Sequence, residues 1–400
     1  MRTMRLDRLR DTVDARGRAA SDRAAALLRH PARSPRTAVV VGRLLGTAFV
    51  VCFVTGLYSH FLQDPLPWMR FPTWPSNLYQ LTQGIHVTTG IASVPLLLAK
   101  LWTVYPRLLQ WPPVRGLVHA VERVLVGVLV AAALVEVATG LLNTYQWYPW
   151  HFPFRGTHYA LAWVAVGALA IHVAAQLPTI VRHWRRERAV SGGQVSTGST
   201  TAETTTRRGF LVAVGAGVAA VVLLTAGQSF RALRRTNLFA PRVQGLGPQG
   251  LPVNKTAAAA RVHDAATDPA WTLTVVHGAR SVALTRAELE ALPQTEVELP
   301  IACVEGWTTF ARWRGVRVAD LLALVDAPSG TGARVTSLEP SGPYRTSDLE
   351  PAFAHHPRTL VALELGGEPL DLDHGYPARL IAPARPGVLQ TKWLTRVETT

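Results

Sequence analysis

Five long apolar stretches dominate the first 230 residues. They cover about residues 38–60, 81–104, 117–142, 157–181 and 209–227. A helix needs roughly 20 apolar residues to cross a bilayer. The pattern therefore predicts a transmembrane four-helix bundle at 37–185 and a fifth membrane span at 207–230. The third stretch contains Glu122, Arg123 and Glu136, so we expect it to face other helices rather than lipid.

The pattern changes after residue 240, where short apolar or alternating runs replace the long ones. Strands are predicted at 271–276, 296–302, 334–339, 359–365 and 378–383, and short helices at 286–292 and 317–325. The fold class predicted for the chain is therefore multi-domain. It combines an all-α membrane part with a C-terminal α+β domain at 240–400.

Charge gives the membrane part an orientation. The chain has 41 Lys and Arg against 26 Asp and Glu, a net charge of +15. The excess lies in a basic arm at 1–36 and in runs at 100–123 and 182–188, beside apolar stretches rather than on a nucleic-acid-binding face. By the positive-inside rule, the N-terminus is cytoplasmic and the C-terminal domain lies on the outer face of the cytoplasmic membrane.

A polar linker is predicted at 186–206, and the fifth span opens with Thr206-Arg207-Arg208-Gly209-Phe210-Leu211. This opening resembles a twin-arginine export signal. The resemblance implies that the twin-arginine export machinery is a partner. It also implies that the C-terminal domain folds around a cofactor before it crosses the membrane. An ordinary span with two cytoplasmic arginines is the alternative.

The chain has only two cysteines. Cys52 lies in the first predicted span, which argues against a disulfide with Cys303. Cys303 ends a strand-like run and precedes Val-Glu-Gly-Trp. We expect the thiol at a sheet edge, where a ligand can reach it, and thiolate suits a thiophilic metal. The alternative is a buried cysteine that acts as a small hydrophobic residue.

Two segments carry a family resemblance: "CVEGW" at 303–307 and "LVALELGGEPLDLDHGYPARLIAPARPGVLQTKWLTRVE" at 360–398. Residues from roughly 250 to 400 resemble the molybdenum-cofactor domain of the sulfite oxidase family. The resemblance implies that Cys303 binds molybdenum beside the dithiolene of molybdopterin. It also implies that His374, Arg379 and Lys392 contact the pterin and its phosphate, and that Asn254 is an active-site candidate. On residue type alone, Arg379 and Lys392 read as solvated strand charges.

The chain departs from sulfite oxidases proper. No clear copy of their sulfite-binding residues is found, and no immunoglobulin-like domain follows the motif before Thr400. We therefore expect the bacterial periplasmic branch of the family, which includes methionine sulfoxide reductases. Tyr344 and Arg345 are candidate pocket residues, although a surface turn explains them equally well.

Histidines in the predicted spans are the second candidate site, because polar groups inside a membrane are costly. His60, His86 and His158 fall at the outer helix ends. His172 follows His158 on the same helical face, about 21 Å deeper. The arrangement resembles four-helix membrane cytochrome b domains. It predicts haem b between His86 and His158, with His60 as substitute. A second haem at His172 would face Lys100. Interfacial or packing histidines are the alternative.

Together these features predict a membrane-bound molybdopterin-dependent oxidoreductase. It performs two-electron oxygen-atom transfer on a small oxyanion or a sulfoxide. Through haem b it exchanges electrons with the quinone pool or another redox carrier. A periplasmic reductase for methionine sulfoxide-like substrates is the first alternative. A non-catalytic sensor or binding protein with a degenerate oxidase-like domain is the second.

Overall fold

The computed structural model describes residues 2–184, 201–242 and 245–400. Its first part is helical, and five of its helices are long and apolar enough to cross a membrane. This confirms the five predicted spans. The basic arm folds largely into a helix of its own. The six helices are α1 (Arg2–Leu27), α2 (Pro35–Gln63), α3 (Leu78–Val104), α4 (Leu117–Thr144), α5 (Phe154–Trp184) and α6 (Thr201–Thr225). Arg185, Arg186 and Arg188, with most of the predicted linker, lie outside the described residues.

Charged groups inside the spans have partners, as burial in an apolar medium requires. Lys100 on α3 donates from Nζ to the carbonyl of Ala38 on α2 at 2.8 Å. Glu136 on α4 is only 13% exposed and lies against His158 on α5. Glu136 therefore faces a neighbouring helix, as predicted.

The chain divides into two compact units. The first comprises Met1–Val54 and Thr88–Leu223, and the second comprises Thr55–Val87 and Leu224–Thr400. The second unit thus contains the end of α2, the start of α3, the connection between them and the whole C-terminal domain. In the first unit an apolar core joins Leu45, Leu96, Leu97 and Ala133, which come from α2, α3 and α4.

The C-terminal domain mixes strands with short helices, and this confirms the α+β class. The strands are β1 (Thr272–His277), β2 (Arg280–Thr285), β3 (Thr295–Ala302), β4 (Thr308–Arg317), β5 (Ala333–Ser337), β6 (Thr346–Leu349), β7 (Leu360–Leu365), β8 (Glu368–Pro369), β9 (Arg379–Ile381) and β10 (Leu394–Thr399). The helices are α7 (Ala257–Ala260), α8 (His263–Thr267), α9 (Arg286–Ala291), α10 (Val318–Ala323) and α11 (Pro351–Ala354).

The strands form two sheets. One has the order β2-β1-β10-β5-β6, in which β1 and β10 run parallel. The other has the order β3-β4-β7-β8, with β9 also paired to β7. Strand β3, which precedes Cys303, is therefore the outermost strand of its sheet.

Strand β7 of the second sheet is apolar on both faces. Val361 and Leu363 of β7 face the main core, whereas Leu360 and Ala362 join a second cluster on the other face. Successive strand side chains point to opposite faces. A strand buried on both faces therefore reads as an unbroken apolar run.

Five strands lie outside the predicted ones: β2, β4, β6, β8 and β10. Strand β4 alternates charged Arg312 and Arg314 on its exposed face with buried Ala311 and Trp313 on the other. That period of two is typical of a half-buried strand. The short helix predicted at 317–325 forms only over Val318–Ala323, directly after β4.

Candidate active site

Cys303 occupies the first position after β3. Val297, Leu299, Ile301 and Cys303 alternate along the chain and share one apolar cluster, as side chains on one face of a strand do. A tight turn follows, in which Gly306 N donates to Cys303 O at 3.0 Å. Gly306 has a φ of +97°, a conformation in which glycine carries no steric penalty.

The thiol is buried rather than open at the sheet edge. Cys303 is 1% exposed and packs in the cluster that contains Trp307. Burial, and next the negative charge of Glu305, raise the pKa of Cys303. The metal-binding form of cysteine is the thiolate. A bound cation would offset the cost of forming it, because coordination deprotonates a thiol.

Glu305 itself is buried and has partners. Its Oε2 accepts a hydrogen bond from Trp307 Nε1 at 3.0 Å and lies 4.0 Å from Arg242 Nε. The carboxylate therefore fixes the indole beside the Cys303 turn.

Arg379, at the start of β9, is the central cation of the site. It is 3% exposed, and its Nη1 donates to His374 O at 2.8 Å and its Nη2 to Gln390 O at 3.2 Å. Its Nε has no hydrogen-bond partner among the described residues. Burial lowers the pKa of Arg379 to about 9. The guanidinium also lies over the ring of Trp313, 5.1 Å from its centroid. A buried guanidinium with only neutral groups described around it is suited to an anionic ligand.

Lys392 lies beside this arginine. Its Nζ donates to Lys255 O at 2.5 Å, to Asp373 O at 2.9 Å and to Asn254 Oδ1 at 3.4 Å. Burial, and next the charge of Arg379, lower the pKa of Lys392 to about 7. Cys303 is near enough for its charge to act on Lys392 in the opposite direction.

His374 completes the predicted set. Its Nε2 lies 2.7 Å from the carbonyl of Pro248, and burial lowers its pKa to about 4. Gly375 follows with a φ of +110°, and a Cβ there would lie 3.0 Å from Arg379 Cβ and 3.1 Å from Lys392 Cβ. Only glycine lets the chain pass this closely between the two cations. The structure thus brings Asn254, His374, Arg379 and Lys392 together.

Arg385 is a further buried cation that the sequence reasoning missed. It is 7% exposed, its Nη2 donates to Ser347 Oγ at 3.1 Å, and its guanidinium lies 5.2 Å from the ring centroid of Phe353. Its Nε has no hydrogen-bond partner in the described part of the chain. Burial lowers its pKa to about 10. Arg385 lies in the 360–398 segment that carries the family resemblance, and this position could have indicated a role in the site. The prolines on either side of it suggest an exposed loop instead.

The donors fit a molybdopterin-type ligand. Arg379 and Arg385 are buried and Lys392 is half-buried. A buried charge without a counter-charge is costly, so an anion such as a pterin phosphate suits these residues. Among the described residues no group of three or more His, Cys, Asp or Glu side chains could hold a metal. A metal at Cys303 therefore needs further ligands from its cofactor, and a dithiolene supplies soft sulfur.

Tyr344 and Arg345 lie in the turn before β6. Tyr344 donates from its hydroxyl to Gln63 Oε1 at 3.0 Å, and Arg345 donates to the carbonyl of Glu339 at 2.8 Å. Arg345 is exposed. Both contacts suit the surface-turn interpretation, and their role in a pocket stays a prediction.

The membrane histidines have well-defined surroundings within each unit. In the first unit, Nδ1 of His158 lies 2.9 Å from Thr139 Oγ1 and 3.2 Å from Glu136 Oε2. Metal-bound histidines commonly use their other ring nitrogen in this way. In the second unit, a Cβ on Gly56 would lie 2.6 Å from Cε1 of His86, so the missing side chain makes room for this ring.

Three histidine predictions stay open. His86 and His158 belong to different units, so their pairing across a haem stays a prediction. His60 lies on α2, with its ring centroid 5.5 Å from that of Phe61. His172 lies on α5 with His158, as the 14-residue spacing requires.

Comparison with known proteins identifies the C-terminal domain. The family model described as oxidoreductase molybdopterin binding domain matches residues 259–400. A putative protein-methionine-sulfoxide reductase subunit, YedZ1, from Azospira oryzae is 34% identical over 112 residues, which are 28% of this chain and 42% of that protein. Mitochondrial sulfite oxidase from Mus musculus is 31% identical over 146 residues, covering 30% of this chain and 27% of that protein.

Among solved structures, the sulfane dehydrogenase SoxCD from Paracoccus pantotrophus is 20% identical, with a TM-score of 0.30, over 33% of this chain and 38% of that one. The chain thus spans less than half the length of each of these three relatives. The matched segment contains Cys303, His374, Arg379, Arg385 and Lys392. The chain therefore carries, at residues 259–400, a domain that matches the oxidoreductase molybdopterin binding domain family and is similar to sulfite oxidases.

Proposed function

We propose that the chain is a membrane-bound molybdopterin-dependent oxidoreductase that performs two-electron oxygen-atom transfer on the outer face of the cytoplasmic membrane. The observation that carries the proposal is the pair of buried arginines Arg379 and Arg385 with the half-buried Lys392, and Cys303 lies in electrostatic reach of the lysine. Such a set has no structural use without an anionic ligand, because each buried charge has a desolvation cost.

Each residue of the chain has a distinct role in this proposal. Cys303 is the protein ligand to molybdenum, and its burial keeps water and oxidants from the sulfur. Arg379, Arg385 and Lys392 bind the pterin phosphate, which Gly375 allows the backbone to approach. Asn254 orients the lysine through its Oδ1. When bound, the cofactor supplies the oxygen-atom chemistry, and the protein supplies its orientation and electrostatics.

The membrane helices bind haem b in this proposal and exchange single electrons with the quinone pool or another redox carrier. His86 and His158 are the proposed ligands, with His60 as substitute and His172 as the ligand of a second haem. The contact of His158 Nδ1 with Glu136 and Thr139 supports this assignment. It occupies one ring nitrogen and thereby directs Nε2 to the iron.

The substrate is a small oxyanion or a sulfoxide. Sulfoxide reduction is the second candidate function, and it is favoured by the relative named as a putative protein-methionine-sulfoxide reductase subunit. A non-catalytic sensor is the least supported role, because Cys303 and the buried cations are intact.

Metal analysis and optical spectroscopy of the full-length protein test the proposal. We expect bound molybdenum and haem b bands in the reduced-minus-oxidised spectrum. Cys303→Ala should remove the sulfur ligand that the protein gives to molybdenum and lower the rate of oxygen-atom transfer by roughly a thousandfold or more. Cys52→Ala should leave the metal ligation and this rate unchanged. Protein without molybdenum, or a Cys303→Ala variant with the same metal content, metal ligation and activity, would refute the enzymatic role. Absent haem bands would refute the role of the helices.

Export through the twin-arginine machinery is proposed from Arg207 and Arg208 at the start of the fifth span. Replacing both with lysine keeps their charge but removes the paired guanidinium groups. We expect the C-terminal domain of this variant to stay inside the cell, protected from external protease in spheroplasts. Normal cleavage in that assay would contradict twin-arginine export.

A further inference from the structure

The turn at 303–306 receives hydrogen bonds from two segments outside the family-matched residues 259–400. Gln83 on α3 donates from Nε2 to the carbonyl of Val304 at 2.7 Å. Ser229, which follows α6, donates from Oγ to the carbonyl of Gly306. Both donors are buried, at 5% and 2% exposure. The turn therefore depends on side chains that the matched domain does not contain.

Steric contacts lock the same three segments together. A Cβ on Gly306 would lie 2.8 Å from Cγ2 of Val87 and 3.3 Å from Nε2 of Gln228. A Cβ on Gly84 would lie 3.0 Å from Cβ of Ser229. Two glycines thus allow the start of α3, the chain after α6 and the turn to meet at close range. The carbonyl of Ser229 also accepts from Gln80 Nε2 at 3.0 Å.

The same part of the chain contacts a second element of the site. Ser76, two residues before α3, accepts a hydrogen bond from Ala384 N at 2.9 Å. Ala384 precedes the buried cation Arg385. Residues 76–87 therefore contact both the turn that carries Cys303 and the loop that carries Arg385.

Two buried carbonyls of the turn thus have donors from the membrane-proximal chain, and a buried carbonyl without a donor is costly. From this we propose that Gln83 and Ser229 are positioning residues for the metal ligand Cys303. They hold the turn closed, so the start of α3 is a structural part of the oxidoreductase site. The chain's own residues cover this side of the turn, which excludes a separate carrier protein there. The inference rests on the proposed role of Cys303 as ligand.

Thiol alkylation tests the inference without any cofactor. In a Cys52→Ala background Cys303 is the only thiol, and full-length protein made without molybdenum cofactor is treated with iodoacetamide. Gln83→Leu and Ser229→Ala should each raise the alkylation rate of Cys303 about three- to tenfold, as expected for the loss of one net hydrogen bond. Gln63→Leu is the matched control, because the hydrogen bonds described for Gln63 join it to Ser59 and Tyr344.

A second readout uses the molybdenum-loaded protein. The Mo(V) electron paramagnetic resonance spectrum depends on the orientation of the cysteine sulfur, so Gln83→Leu and Ser229→Ala should shift it and Gln63→Leu should not. Equal alkylation rates in all three variants, with unchanged spectra, would overturn the positioning role. A failure of all proteins to bind molybdenum would instead count against the proposed function, and the alkylation rates would still report on the turn.

Discussion

The two candidate sites of this chain are built in opposite ways. The site around Cys303 contains two buried arginines and a half-buried lysine, which lie on loops and strand ends of the C-terminal domain. The membrane histidines are spread over helices α2, α3 and α5. In the site around Cys303, an anionic ligand would offset the desolvation cost of the charged side chains. In the membrane site, each histidine is individually compatible with ordinary helix packing.

The difference shows where chemistry can be inferred from contacts. Arg379 makes two hydrogen bonds to carbonyls but no described ion pair, so its environment itself calls for an anion. Nδ1 of His158 lies 3.2 Å from Oε2 of Glu136. A carboxylate behind an imidazole is a metal-site feature that helical spacing does not reveal.

The largest expected effect concerns the membrane site. His158→Ala should abolish the haem b bands of the haem ligated by this residue, because no other side chain occupies its position. Glu136→Gln keeps the shape of the contact but removes the negative charge behind the imidazole. It should keep the haem and raise its midpoint potential, measured by redox titration. His119→Ala, on the same α4 helix as Glu136, is the control. Unchanged bands in His158→Ala would remove the special status of this histidine.

The next effect concerns retention of the molybdenum cofactor. Arg379→Gln removes a charge but keeps a hydrogen-bond donor, and we expect cofactor affinity to fall about 10- to 100-fold, as for the loss of one charge-assisted hydrogen bond. Molybdenum content after dialysis measures this. Arg334→Gln is the control, since Arg334 is an exposed arginine paired with Asp348. Equal retention in both variants would mean that the buried charge does not bind the cofactor.

The smallest effect is a pH dependence of stability. His374 has a folded pKa of about 4, below its unfolded value near 6.5. The unfolded state therefore binds the proton first, and stability declines as the pH falls from 6.5 to about 4. Between pH 7 and 5 the loss is about 2 kcal/mol, or a few degrees in the thermal midpoint. His374→Gln should lose less stability than the native protein over that interval. An identical decline in both would contradict burial of a neutral imidazole.

Much of the fold could be predicted from periodicity. The five spans follow from unbroken apolar runs, and β3 and β7 from short apolar runs in the C-terminal part. The sequence reasoning missed β4, although its charged residues alternate with buried ones. Short strands of this kind are stabilised by their neighbours, β3 and β7, and local propensity is a weak guide to them.

The residues of the candidate site could be predicted from the sequence where a recognisable motif contains them. His374, Arg379 and Lys392 were found because they belong to a long segment with a family resemblance. Arg385 lies in the same segment and was missed. Burial distinguishes a ligand-binding arginine from a solvated one, and burial depends on what the rest of the chain places around the loop.

The sequence alone was enough to predict the main parts of this protein. These are five apolar spans, an α+β domain, and a cysteine in a molybdopterin-type motif. Those features are local, because hydropathy and short motifs depend on neighbours along the chain. Only the tertiary structure decided that Cys303 and Arg385 are buried, and that Gln83 and Ser229 donate hydrogen bonds to the turn after Cys303. Gln83 and Val304 are 221 residues apart in sequence, and contacts at such separations arise only when distant segments pack together.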